Sequence, residues 1–368
     1  MSSFRMSLTA ISEVERFVRE RFDVKEVLYK GSEGAEFSIR EGGPYKEKFE
    51  ELVRFLRPKR LFPLLRPTDG GLVLYVESVK GIPSRRFYVP ILLFLATVAT
   101  VIGDGWLRAS SIAPTLSGNG VLVDMALYVG FVMAFLGVRY GVLYLRCVRS
   151  GEAPPIPYFI PGLPFSIPTF GAVNVPGEPP VNRDSEFWWG IWANLAGLAI
   201  GAIALAVGLG DTHVLTQEAA TLAFGSNLTL VPLQVPFGLQ YVIQTFLYRP
   251  PQEVVVLSPL VYAGWFCLLI SLANMIPTRF LDGERTASSL FGPRTLSIAI
   301  MISLFVVVFV NFLVALFMFA VSWGAREILV LDRASKPSGK NVYVYAALMA
   351  MAAVVYLLFL YPPLLPLY

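Results

Sequence analysis

The sequence predicts a polytopic α-helical membrane protein of about six transmembrane helices with a small α/β domain at its amino terminus. Of 368 residues, 55% are hydrophobic and only 15% charged, and the mean hydropathy is +0.62, too apolar for a soluble enzyme of this length. Apolar runs near 87–106, 121–148, 187–209, 254–276, 295–323 and 341–365 can each cross the hydrocarbon layer, which takes about 20 helical residues. Most of the charge lies ahead of the first run, in residues 1–86.

That leading segment alternates patterns. ISEVERFVRERF and PYKEKFEELVRFL have helical periodicity, while KEVLYK, AEFSIR and GLVLYVESV read as strands, the first two joined by a turn at Gly31-Ser32-Glu33-Gly34. In the second helix Phe49, Leu52, Phe55 and Leu56 lie opposite Glu47, Lys48, Glu50 and Glu51, with Pro44 near its start. Residues 1–86 are therefore expected to form a packing domain with its own core and a solvated charged face. Residues 87–368 form the membrane domain. About 85 mostly polar residues precede the first apolar run, so no cleavable signal peptide is expected and that run serves as the anchor.

Between 149 and 186 prolines stand at 154, 155, 157, 161, 164, 168, 176, 179 and 180, which excludes a spanning helix. The segment is also too apolar for an ordinary exposed loop. A Pro-rich loop or hairpin on the membrane surface fits it, either as a rigid surface element or as an edge that accepts a client strand near Phe165, Thr169, Phe170 and Gly171. Segment 216–247 is apolar but carries Pro232 and Pro236, and reads as interfacial or re-entrant. Arg146, Arg149, Arg183, Arg279, Arg285 and Arg294 favour the cytoplasmic side, which places the amino-terminal domain in the cytoplasm. Arg326, Arg333, Lys336 and Lys340 conflict with this if 295–323 crosses once; that run, interrupted by Asn311, either overrides the rule or turns back as a hairpin.

Cys147 and Cys267 lie in apolar spans and read as buried thiols, and His213, the one histidine, reads as a surface residue beside Asp211. The net charge of +4 is spread through the head and loops and gives no nucleic-acid signature. The lipid bilayer is the expected partner, in the cell membrane. No oligomeric state follows from the sequence.

Asn274, Pro277, Asp282 and Gly283 stand as Asn-x2-Pro-x4-Asp-Gly at the end of LVYAGWFCLLISLANMIPTRFLDG, which puts a carboxylate at membrane depth or its edge. This segment resembles the site-2 protease family of intramembrane zinc metalloproteases. The resemblance is closest to the branch shared by archaeal membrane proteases and the chloroplast ethylene-dependent greening proteins. It extends in order through YFIPGLPFSIPTFGAV at 158–173, Gly190-x3-Asn194, NMIPTRFLDGERTASSLFG at 274–292 and VLDRASKPSG at 330–339, and the head ending in LFPLLRPTDGGLVLYV also looks like the soluble domain of that branch. It implies the site-2 protease core as the fold, and regulated intramembrane proteolysis by a zinc metalloendopeptidase as the family activity.

In the family the zinc-binding HExxH precedes the YFIP stretch and is followed by Tyr-Leu. Aligning Tyr144-Leu145 there puts Arg139 and Leu143 at the histidine positions and Tyr140 at the general-base glutamate. Arginine and leucine offer zinc no lone pair, and a phenol of reference pKa about 10 is a poor base at neutral pH. The chain is accordingly expected to bind no metal and to be a non-catalytic member, a pseudoprotease that holds membrane-protein clients. The alternative is an active zinc metalloendopeptidase with other ligands. A transporter, resting only on the polar residues Asn194, Asn274, Asp282 and Asn311, stands behind both. Arg139 and Asp282 are expected to pair through two parallel hydrogen bonds in place of the metal; the competing expectation is that Arg139 snorkels to the interface.

Overall fold

The computed structural model describes residues 8–29, 34–40, 45–68, 70–78, 88–111, 120–163, 167–224, 253–279, 281–310, 316, 319 and 329–359. The head consists of α1 (Leu8–Arg21), β1 (Val24–Tyr29), β2 (Gly34–Ile39), α2 (Tyr45–Leu56), a 3-10 turn (Arg57–Lys59), β3 (Leu61–Thr68) and β4 (Gly71–Ser78). The four strands form an antiparallel sheet in the order β1-β2-β4-β3. Phe49, Leu52 and Leu56 on one face of α2 pack with Phe37, Leu65 and Leu74 of the sheet.

Strand β3 has no counterpart in the sequence reading, and it carries Pro63 and Pro67, residues that disfavour a strand interior. Its place in the sheet explains them. Leu65 donates its N–H to Leu331 O (2.8 Å) on the side away from β4, so by alternation the nitrogens of Pro63 and Pro67 also face outward, where no ladder bond to β4 is lost.

The head core is not self-contained. Residues 330–333 lie along the outer edge of β3, with a parallel bridge between Leu65 and Asp332 and a bond from Arg333 N to Leu65 O (3.2 Å). Leu331 is fully buried in the head's apolar cluster, against which Val181 and Ala334 also pack. The same segment is held from the other side by Pro180 O and Val181 O, which accept from Leu331 N and Asp332 N at 2.9 Å. Arg57 donates to Ser150 O and Gly151 O, both at 2.9 Å, and so caps the helix that ends there. Residues 1–86 thus share their apolar cluster with Leu331 of this distant segment.

The membrane domain begins with α3 (Tyr88–Ser110) and α4 (Val121–Ser150), continues through the hairpin β5 (Ile156–Leu163) and β6 (Ile167–Val175), and then α5 (Arg183–Gly210). After it come β7 (His213–Thr216), α6 (Gln217–Phe224), β8 (Glu253–Val256), α7 (Pro259–Met275), α8 (Asp282–Leu290), α9 (Pro293–Val310) and α10 (Gly339–Phe359). Among the described residues, α3, α4 and α5 are long and apolar enough to cross a bilayer, and α7 and the described start of α9 are shorter apolar helices. The question of a turn within 295–323 and most of segment 216–247 fall outside the described residues. His213 is half-buried in β7, paired with Val256, rather than free in a loop.

Local signals set the boundaries. Asn182 accepts from Ser185 N (2.8 Å) to open α5, and Ser258 with Pro259 opens α7. Gly151, with φ of 65°, closes α4 in the left-handed conformation. Helices α5 and α7 pack backbone to backbone: a Cβ on Gly264 would lie 2.3 Å from Leu205 N, so only glycine permits this approach.

Candidate functional site

Three helices bring the site together. Arg139 lies on the buried face of α4 with Phe135, Leu143 and Cys147, about 16 Å of helix before the C-terminal end at Ser150. Asn194 belongs to the buried stripe of α5. Helix α7 ends at Ile276, before the buried Pro277, and the chain turns so that α8 restarts at Asp282. Gly283 and Gly190 make this turn possible. A Cβ on Gly283 would fall 2.2 Å from Ile276 O, and one on Gly190 would fall 2.2 Å from Thr286 Oγ1 and 2.5 Å from Asp282 O.

The guanidinium of Arg139 is 3% exposed, and its Nη2 donates to Asp282 Oδ2 at 3.0 Å. Nη1 donates to Asn194 Oδ1 at 2.7 Å and reaches Ser271 Oγ at 3.4 Å. Asn194 Nδ2 in turn donates to Gly190 O at 2.8 Å, with a longer contact of 3.4 Å to Asp282 Oδ2. The arginine is thus spread across α4, α5, α7 and α8. Its two ends serve different partners, which differs from the parallel two-bond grip expected from sequence, because Asn194 occupies the second position. Asp282 also stands in the first turn of α8, where the helix dipole favours a carboxylate.

The other residues singled out in the sequence divide into two groups. Leu143 is fully buried against Cys147, Trp189 and Ala193 and fills space beside the pair. Tyr140, one position round the helix from Arg139, points elsewhere, its hydroxyl 3.4 Å from Pro155 O. Asn274 donates to Ile270 O at 2.9 Å and faces the hairpin, since a Cβ on Gly171 would meet its Nδ2 at 4.0 Å. Cys267 is buried on α7 near Phe135 and Leu136.

In the hairpin the register slips between Ile160 and Pro161: Ile160 faces Gly171 and Pro161 faces Thr169, leaving Phe170 as the extra residue of a bulge. Gly171 has φ of 91°, and the buried Thr169 hydroxyl ties the bulge by donating to Ile160 O at 2.8 Å and accepting from Gly171 N at 3.0 Å. Phe170 is 42% exposed. Phe165 lies outside the described residues. On α3, Thr100 donates to Pro168 O and accepts from Gly162 N, which fixes the hairpin against the first apolar helix.

A second buried charged group went unread in the sequence. Asp104 accepts from Arg108 Nε at 2.7 Å and from the Tyr128 hydroxyl, and the Arg108 guanidinium lies 4.6 Å from the Tyr262 ring centre. Its signal was available: an Asp-x3-Arg spacing inside an apolar helix.

No family model matches the chain, and no solved structure matches it. It is similar to a protein of Oryza sativa subsp. japonica described as probable zinc metalloprotease EGY1, chloroplastic, with 30% identity over 234 residues that cover 57% of this chain and 39% of the relative. The Arabidopsis thaliana protein of the same description is 29% identical over 189 residues, 47% of this chain and 33% of the relative. The chain thus spans well under half the length of these curated relatives.

Proposed function

We propose that the chain is a site-2-protease-type membrane protein in which an ion pair stands where the family holds zinc, and that it binds membrane-protein clients without cleaving them. The observation that carries this is the bond from Arg139 Nη2 to Asp282 Oδ2 at 3.0 Å. The guanidinium takes the carboxylate that would serve as a metal ligand. All its nitrogens are donors, and Leu143 beside it has no donor atom for a metal, so these residues do not fit a zinc centre. The similarity to the plant proteins supports the family membership. Six spans, a cytoplasmic head and a cell-membrane location are part of the same reading, resting on hydropathy and basic flanks.

Clients are held, in this reading, by strand addition to the bulged hairpin, whose exposed Phe170 offers an apolar anchor. A second reading, an active zinc metalloendopeptidase, is favoured by the printed description of the relatives as probable zinc metalloproteases. Zinc content of the purified full chain, with chelator-sensitive cleavage of a transmembrane substrate, separates the two. The expected result is substoichiometric zinc and no cleavage, with photo-crosslinks from position 170 to extended peptides. One zinc per chain with cleavage abolished by chelation overturns the proposal.

A further inference from the structure

Close to the head-facing end of α4, two arginines gather round one indole. The Trp189 ring centre lies 5.3 Å from Cζ of Arg285 and 6.0 Å from Cζ of Arg146. Trp189 is 3% exposed, and among the described residues its Nε1, Arg146 Nη1 and Arg285 Nη1 are buried without a hydrogen-bond partner. Three unsatisfied donors in one place are costly unless an acceptor joins them.

The neighbouring acceptors have other partners: Glu152, whose charge acts on Arg146, lies 4.0 Å from Arg57 Nη2. Arg146 Nη2 donates to Ser185 Oγ at 2.6 Å, and Arg285 Nη2 reaches Asn174 O at 3.5 Å. Asp282 takes Arg139, Glu186 accepts from Ser288 at 2.5 Å, and Glu284 lies 3.6 Å from Arg279. None of these carboxylates accepts from the three orphaned donors. What they need is an acceptor-only group of negative charge. Arginine matches phosphate oxygens in geometry, and tryptophan N–H groups commonly sit at the interfacial level of a bilayer.

We propose that Arg146, Arg285 and the Trp189 indole N–H form a binding site for a phosphate oxyanion, supplied either by a phospholipid headgroup or as free phosphate. The site uses none of the hydrogen bonds of the Arg139–Asp282 pair and does not rest on the functional reading above.

Native mass spectrometry of the full chain in neutral detergent, titrated with phosphatidylglycerol and separately with inorganic phosphate, tests it. Trp189→Phe keeps an aromatic side chain while removing the N–H with part of the indole, and a thermal melt of each variant guards against loss of fold in Arg146→Gln or Arg285→Gln. Retention should fall at least about tenfold in each arginine variant and a few-fold in Trp189→Phe. The exposed Arg149→Gln, on the same helix with the same charge change, should leave it unaltered. Lipid retention undisturbed by phosphate assigns the site to a headgroup; a phosphate adduct lost in the same variants assigns it to the free ion. Wild-type retention in all three variants, an equal loss in Arg149→Gln, or binding of a carboxylate peptide but no phosphate overturns the proposal.

Discussion

The membrane domain holds two buried ionic centres, and they are built differently. Asp104 and Arg108 are one helical turn apart on α3, with the Tyr128 hydroxyl added from α4. Arg139 and Asp282 are 143 residues apart, and their network joins four helices. Along α4, Tyr128 and Arg139 are about 16 Å apart, so the two centres lie at different levels. The first centre can neutralise itself while α3 is still alone, since an i,i+4 pair needs only the helix. The second has no partner until α4, α5 and α8 have met. A local pair lowers the cost of placing charge in an apolar helix, whereas a distant one makes that cost conditional on assembly and so ties the bundle together.

The largest effect should come from splitting the distant pair. Arg139→Met leaves the buried Asp282 with the long contact from Asn194 and the more distant charge of Arg285, and should cost about 3–5 kcal/mol in denaturant or thermal unfolding of the detergent-solubilised protein. Arg139→Met with Asp282→Leu should recover most of the loss, because an apolar replacement removes both desolvation penalties. A double-mutant cycle without coupling would break the comparison at its stronger end.

Breaking the local centre should cost less. Arg108→Met leaves Asp104 its bond from Tyr128, so the expected loss is that of one charge-assisted hydrogen bond, about 1.5–3 kcal/mol in the same assay. A loss equal to that of Arg139→Met would mean that Arg108, packed on the Tyr262 ring, also ties helices together.

How legible these centres were follows from the same distinction. Arg139 could be matched with Asp282 because the family resemblance puts both at zinc-ligand positions, and a permanent cation on an apolar helix demands a partner. The role of Asn194 in dividing the guanidinium between two acceptors depends on how α5 rotates against α4, and no periodicity reports that rotation. Asp104 and Arg108 were plain in sequence, yet the helical run was read for its length rather than its charges. In the head, the amphipathic α2 was readable from its apolar spacing. Strand β3, which went unread, carries prolines tolerated because their nitrogens face away from β4, and its outer edge meets residues 330–333, a pairing across more than 260 positions.

The smallest effects concern the packing round Arg139. Its contact to Ser271 Oγ is long, 3.4 Å, so Ser271→Ala should lose about 0.5 kcal/mol, the low end for a hydrogen bond. Gly197→Ala is the sharper probe. The added methyl would lie 2.4 Å from Ser271 Oγ, 2.8 Å from Phe135 Cε2 and 3.2 Å from Arg139 Cδ, so it presses on the arginine from the α5 side and should cost about 1–3 kcal/mol. Combining Gly197→Ala with Ser271→Ala relieves only the contact to the hydroxyl oxygen, leaving Phe135 in place, and should recover a fraction of that cost. Full recovery would show that Ser271 alone sets the distance between α5 and α7 at this level. A Ser271→Ala loss above about 1.5 kcal/mol would make the serine a third anchor of the guanidinium.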